Sequence, residues 1–147
     1  MTGTKMMTSR ACRVMALAEQ EARRRGATAV EPEHVLLRLV MEEGGVAGHA
    51  LRNLGASVEC FARQLPAAVR APASGKEPLP WAAATEQAVA QAHAELLPLG
   101  HNYVGTEHLV LGVLLTGLGL VPDILAGLGI TAGDVRREVY KILGHGS

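Results

Sequence analysis

The sequence predicts an all-α protein: eight helices arranged as two four-helix repeats related by a pseudo-two-fold axis. Three observations carry this expectation. First, the chain repeats itself: Gly26 recurs as Gly100, Glu33-His34 as Glu107-His108 and Leu54-Gly55 as Leu128-Gly129, each 74 positions on. Val30 and Val104, Leu37 and Leu111, Gly45 and Gly119, and Leu51 and Leu125 keep the same offset. Identity confined to apolar, glycine and Glu-His positions marks a duplicated helical unit that has kept its core and punctuation. Second, no segment alternates apolar and polar residues for long enough to make a strand. Third, apolar residues form 48% of the chain but aromatic residues only 3%. The interior must therefore be aliphatic, which suits close helix-on-helix packing.

The helices follow in order. Thr8 or Ser9 caps a first helix to about Arg25, with Val14, Leu17, Ala18 and Ala22 at helical spacing and Gly26 as its left-handed stop. Arg23-Arg24-Arg25 reads as a solvated last turn that complements the helix dipole. A second helix starts near Pro32, where a missing N–H costs nothing, and runs to about Glu43 before Gly44-Gly45. A third spans about Val46 to Asn53 and ends at Gly55, and Ser57 caps a fourth to about Arg70. Residues 71–80, APASGKEPLP, form the linker. The order then repeats. Helix five covers about Trp81 to Leu97, with Pro98 ending or distorting its last turn. Helix six runs from Thr106 to about Thr116, and helix seven from about Val121 to Ala126, closed by Gly127 and Gly129. Helix eight runs from Thr131 to about Leu143, with Asp134 placed for a capping box.

The division expected is a flexible leader over 1–7, repeat 1 over 8–70, the linker over 71–80 and repeat 2 over 81–144. Residues 8–144 make one compact domain. Neither repeat, at roughly 65 residues, buries enough surface to stand alone, so their apolar faces should meet.

Composition excludes several classes. The formal net charge is zero, so bulk electrostatics give no support for nucleic-acid binding. Cys12 and Cys60 make neither a disulfide framework nor a zinc set, and the default is a reducing cytosol. No apolar run reaches the length of a membrane span, and the polar start resembles no signal segment. Gly75-Lys76 has Arg70 where a phosphate-binding loop needs glycine and Glu77 where it needs Ser or Thr, so it is not one. His34, His49, His93, His101, His108 and His145 are scattered without the spacing of a zinc protease. His34 and His108 read as residues that hold helix starts. No catalytic residues, no metal and no cofactor are expected.

The start of the sixth helix stands apart. Gly105-Thr106-Glu107-His108 puts a capping hydroxyl, unpaired amides and a carboxylate into one turn. The amides and dipole favour an anion, while the carboxylate grips a guanidinium. Together these are the two halves of a zwitterionic ligand such as a phosphorylated arginine. The same residues also describe an ordinary helix start, in which an acid in the first turn only stabilises the helix.

The run from Leu99 to Leu114, LGHNYVGTEHLVLGVL, strongly resembles the second repeat of the Clp amino-terminal domain, which precedes the ATPase modules of ClpC- and ClpA-type AAA+ unfoldases. The resemblance extends over about residues 8–144 and both Leu-Gly stops. It implies an eight-helix pseudo-symmetric domain that docks adaptor proteins and receives substrates. In ClpC-like members it implies one phosphoarginine site per repeat. Carried over, Glu107 and Glu33 pair with the guanidinium, and Thr106 helps hold the phosphate. Repeat 1 departs from the pattern, with Glu31-Pro32-Glu33-His34 where Gly-Thr-Glu-His is expected. Pro32 removes a hydroxyl and an amide, Glu31 adds a negative charge, and the two carboxylates together oppose a phosphate by about 1 kcal/mol or more. The first site is expected to be weakened and the second intact, with Pro98 near the mouth of the second.

The function expected is a non-catalytic, cytoplasmic binding module of the Clp protease system. Its partners would be adaptor proteins, protein substrates or Clp protease components, with no nucleic acid and no membrane. The alternative is an accessory structural subunit, like ClpT-type proteins, that stabilises a protease complex. The 147 residues carry no ATPase module; they are expected to act as a free receptor domain or as part of a longer unfoldase.

Overall fold

The computed structural model describes residues 6–65 and 77–144. The helices among them are α1 (Ser9–Arg24), α2 (Pro32–Met41), α3 (Val46–Asn53), α4 (Val58–Gln64), α5 (Ala83–Ala94), α6 (Leu96–Leu99), α7 (Thr106–Thr116), α8 (Val121–Leu128) and α9 (Ala132–Ile142). No strand occurs among the described residues, and the fold is all-α. The expected leader up to residue 5, the stretch 66–70 expected to continue the fourth helix and the linker over 71–76 lie outside them, and α4 ends at Gln64.

The starts follow from local chemistry. The Thr8 hydroxyl accepts from the Ala11 amide, and the Ser57 hydroxyl accepts from Cys60. Thr131 and Asp134 exchange hydrogen bonds at 2.9 and 3.0 Å, closing the expected capping box on α9. Gly26, Gly55, Gly100 and Gly129 sit at helix ends with φ between 68° and 89°.

Several expectations need correction. α2 ends at Met41, not Glu43. Trp81 pairs with Val30 instead of starting a helix, and α5 begins at Ala83. The expected fifth helix breaks at Glu95 and resumes as α6. Pro98 explains the break, because its ring clashes with the carbonyl four residues back, at Ala94. Gly127 lies inside α8, and Gly129 alone stops it. The arginine cluster is also less solvated than expected. Glu21, only 6% exposed, pairs with Arg24 and with Arg25 at 2.6 Å, and Glu19 holds Arg23 at 3.3 Å. Burial pushes the Glu21 carboxyl up, but its bonds to Arg25 and Arg24 outweigh this and leave it below its ordinary value.

One aliphatic core spans both repeats. Leu36, Leu39, Leu51 and Phe61 from the first and Leu109, Leu111 and Ile124 from the second are fully buried. Each such side chain contributes roughly 1.5–3 kcal/mol. α5 and α7 pack closest, because Gly112 lets the Ala88 carbonyl and Ala92 approach where a side chain would stand.

The repeats also exchange backbone. Met7 bridges Val104, with Thr8 N–H donating to Val104 O at 2.9 Å and Val104 N–H to Met6 O at 2.8 Å. Trp81 bridges Val30, with Ala82 N–H donating to Val30 O at 3.0 Å and Val30 N–H to Pro80 O at 2.9 Å. Every residue in the second set lies 74 positions from its counterpart in the first. The duplication read from the sequence is therefore a spatial pseudo-two-fold, with each repeat's lead-in strapped to the other.

Candidate functional site: two paired helix starts

The bridges fix where the candidate sites lie. Met7 and Val104 run parallel immediately before α1 and α7, so those helices start side by side. Val30 and Trp81 do the same for α2 and α5. Each site thus draws one helix start from each repeat. A helix N-terminus favours an anion through its unpaired amides and dipole.

In the α1–α7 site, Thr106 and Glu107 are the first and second residues of α7. Thr106 is 3% exposed, and its hydroxyl takes the Ala47 N–H at 3.4 Å. It thereby supplies from the other repeat a cap that Gly45 cannot give α3. A β-carbon on Gly45 would stand 2.8 Å from that hydroxyl and 3.4 Å from Arg10 Cδ, so Arg10 flanks Thr106. The Arg10 guanidinium bonds Gly44 O and lies 3.6 Å from Glu42. Glu107 folds back over Gly105, where a β-carbon would be 2.5 Å from its Oε1. Glycine at 105 is thus what allows the carboxylate to cover its own helix start.

The α2–α5 site shows what happens without that glycine. Glu31 stands in its place, and Glu33 turns elsewhere: a β-carbon on Gly119, in the α7–α8 loop, would be 3.1 Å from Glu33 Oε1. Glu33 is 9% exposed, and Oε1 is buried without a hydrogen-bond partner. Burial raises the Glu31 carboxyl, with the Glu33 charge adding to it. The polar groups of the other site have weaker counterparts here: Ala82 for Thr8, Ala84 for Arg10 and Pro32 for Thr106.

Both third residues are histidines that clamp the helix start. His34 Nδ1 accepts from Glu31 N at 2.9 Å, and His108 Nδ1 accepts from Gly105 N at 2.8 Å. Burial pushes both imidazoles down, while neighbouring Glu33 and Glu107 pull the other way. His108 Nε2 lies 2.7 Å from His101 Nδ1, which lies 4.0 Å from Glu107 Oε2. Donor atoms from His101, Glu107 and His108 all fall within 4.8 Å of one another, a set with the chemistry of a zinc site. The hydrogen bonds argue against that use. Because the Gly105 N–H occupies His108 Nδ1, the His108 proton sits on Nε2. A metal would have to move it to Nδ1, against an amide donor.

Sequence reasoning missed Thr8, which bonds Val104, and Arg10, which flanks Thr106, as neighbours of the α7 start. The 74-residue offset pairs Thr8 with Ala82 and Arg10 with Ala84 as equivalent positions, but does not say what either faces. Without the bridges, nothing said that those positions face the other repeat.

A pair of helical repeats that cross-strap and set helix starts together defines a two-repeat all-α class. The chain belongs to the Clp repeat (R) N-terminal domain family, which matches residues 6–80 and again 81–147. It is 34% identical over 137 residues to the chaperone protein ClpB of Oceanobacillus iheyensis, covering 93% of this chain and 17% of that protein. The same identity and coverage relate it to the negative regulator of genetic competence ClpC/MecB of Bacillus subtilis. The chain therefore spans about one sixth of the length of these relatives. Its fold is that of the N-terminal domain of the chaperone ClpD from Arabidopsis thaliana, with TM-score 0.75, 18% identity and 96% of each chain covered.

Proposed function

We propose that this chain is a non-catalytic receptor module of a Clp system, binding adaptor proteins or tagged substrates and taking an arginine phosphate at the α1–α7 site. Glu107 pairs with the guanidinium. The outward amides of the two helix starts, Thr106 among them, face the phosphate. The observation that carries this reading is the parallel pairing of Met7 and Val104, which sets two helix N-termini beside a carboxylate held over Gly105. An anion cradle next to a fixed carboxylate suits a ligand with both charges and favours neither a plain cation nor a plain anion.

The α2–α5 site is weakened in this reading. Glu33 is turned under Gly119, Pro32 offers no amide, and Glu31 opposes the phosphate. The proposed setting is the cytosol, in keeping with Cys12 and Cys60, neither of which is in a disulfide. No single helix is long and apolar enough to cross a membrane among the described residues.

Calorimetric titration with free phosphoarginine tests the proposal. Binding is expected in the parent protein and in Glu33→Ala, and a loss of about tenfold or more in Glu107→Ala. Equal binding by Glu107→Ala removes the proposed site.

A further inference from the structure

The α2–α5 pair differs from the α1–α7 pair in one electrostatic direction. At positions 74 apart, Glu31 stands for Gly105, Pro32 for Thr106, Ala82 for Thr8 and Ala84 for Arg10, while Glu33 matches Glu107. Each of the four changes adds an anion, or removes a cation or a donor. Arg10 and Glu107 cancel in the first set, whereas Glu31 and Glu33 give the second a formal charge of −2. About half a unit of positive charge at each helix start still leaves that set negative.

The carboxylates are not satisfied within the fold. Glu33 is 9% exposed, and its Oε1 is buried without a hydrogen-bond partner. An unpaired polar atom in such a place is costly, so an incoming donor gains most there. The residue over it is Gly119, exposed and without a side chain; a β-carbon there would stand 3.1 Å from Oε1 and 3.5 Å from Pro32 Cδ. Glu31 lies near enough for the Glu33 charge to add to burial in raising its carboxyl. Neither acid forms an ion pair among the described residues.

We infer that the α2 start is a cation subsite, taking the guanidinium of an unmodified arginine side chain between Glu33, Glu31 and the glycine edge of the α7–α8 loop. A guanidinium is weakly hydrated and offers five N–H donors in a flat fork, which suits two half-buried carboxylates better than a compact ammonium. Its aliphatic stem can lie along the Pro32 ring. A calcium ion needs six to eight oxygen ligands, more than two carboxylates provide. The inference concerns a different helix pair from the arginine-phosphate site and does not rest on that reading.

A 1H–15N titration of the full chain with acetyl-Gly-Arg-Gly-amide tests it, with the uncharged citrulline peptide as control. The amides of Glu33, His34 and Gly119 should shift and saturate with the arginine peptide alone, while Thr106 and Glu107 stay still. Equal shifts with citrulline, or shifts at Thr106 and Glu107 instead, overturn the assignment. Glu33→Gln should weaken binding about tenfold or more. Its urea midpoint should not fall, because Oε1 has no partner to lose. Glu31→Gln, at a half-buried position, should weaken binding about threefold, so the test stands even if Glu33→Gln folds poorly. Undiminished affinity in either variant overturns the subsite. Phosphoarginine reports on other amides, so failure of one reading leaves the other standing.

Discussion

Val30 and Val104 exchange roles across the pseudo-two-fold: Val30 pairs with Trp81 at the entrance to repeat 2, and Val104 pairs with Met7 at the entrance to repeat 1. Both valines are fully buried. Each repeat therefore straps its partner's lead-in, and each candidate site draws on both repeats.

Val30→Pro removes the N–H that meets the Pro80 carbonyl and trims a buried aliphatic side chain. A loss of about 2–4 kcal/mol is expected in urea unfolding. An unchanged midpoint would show that the strap is ornamental.

Two glycine-to-alanine changes should act in opposite directions. In Gly112→Ala the new methyl meets the Ala88 carbonyl and stands 2.8 Å from Ala92 N, both backbone atoms that cannot give way. Overpacking of about 1–3 kcal/mol outweighs a gain in helix propensity of about 1 kcal/mol. In Gly133→Ala the nearest atoms are side-chain atoms at 3.6 and 3.7 Å, so the propensity gain should appear as a higher Tm. Same-sign shifts would contradict the packing described for α5 and α7.

Thr106 works for both repeats through the Ala47 amide. Thr106→Val should cost about 0.5–1.5 kcal/mol, and Thr106→Ser should recover most of it. Equal unfolding midpoints for Val and Ser would assign no value to the hydroxyl.

Acid should destabilise the fold through the two clamping histidines. Burial holds His34 and His108 below the ~6.5 of an unfolded histidine, so the unfolded chain takes up protons first as pH falls. Their contribution is complete above that value and is lost as pH drops toward their folded values. The urea midpoint is expected to fall between about pH 7.5 and about pH 5.5. The double variant His34→Gln/His108→Gln should be weaker at neutral pH but show a shallower dependence. A parallel dependence would mean that other groups set it.

The α2–α5 site, proposed to be weakened, should be repairable. Glu31→Gly, Pro32→Thr and Ala82→Thr together restore the residue types found at Gly105, Thr106 and Thr8. Calorimetry should then count a second phosphoarginine per chain. A stoichiometry unchanged from the parent would show that Glu33 stays under Gly119 for another reason.

Helix starts were legible because they are local chemistry: Thr8, Ser57 and Thr131 cap as their hydroxyls predict. The duplication was legible because its core and stops kept a fixed offset. The crossing of Met7 with Val104 was not, since a single bridged residue leaves no alternating pattern to read. For the same reason, Arg10 and Thr106, far apart in sequence, could not be placed together. The opposite fates of Glu33 and Glu107 turn on whether residue 31 or 105 has a β-carbon. The sequence displays that difference, but only the fold shows what it displaces.

The most direct test of the account is a 1H–15N spectrum of the full chain titrated with phosphoarginine. The amides of Ser9, Arg10, Thr106 and Glu107 should shift together and saturate, while Glu33 and Ala84 stay still. Shifts centred on the α2–α5 pair, or on neither pair of helix starts, would contradict it.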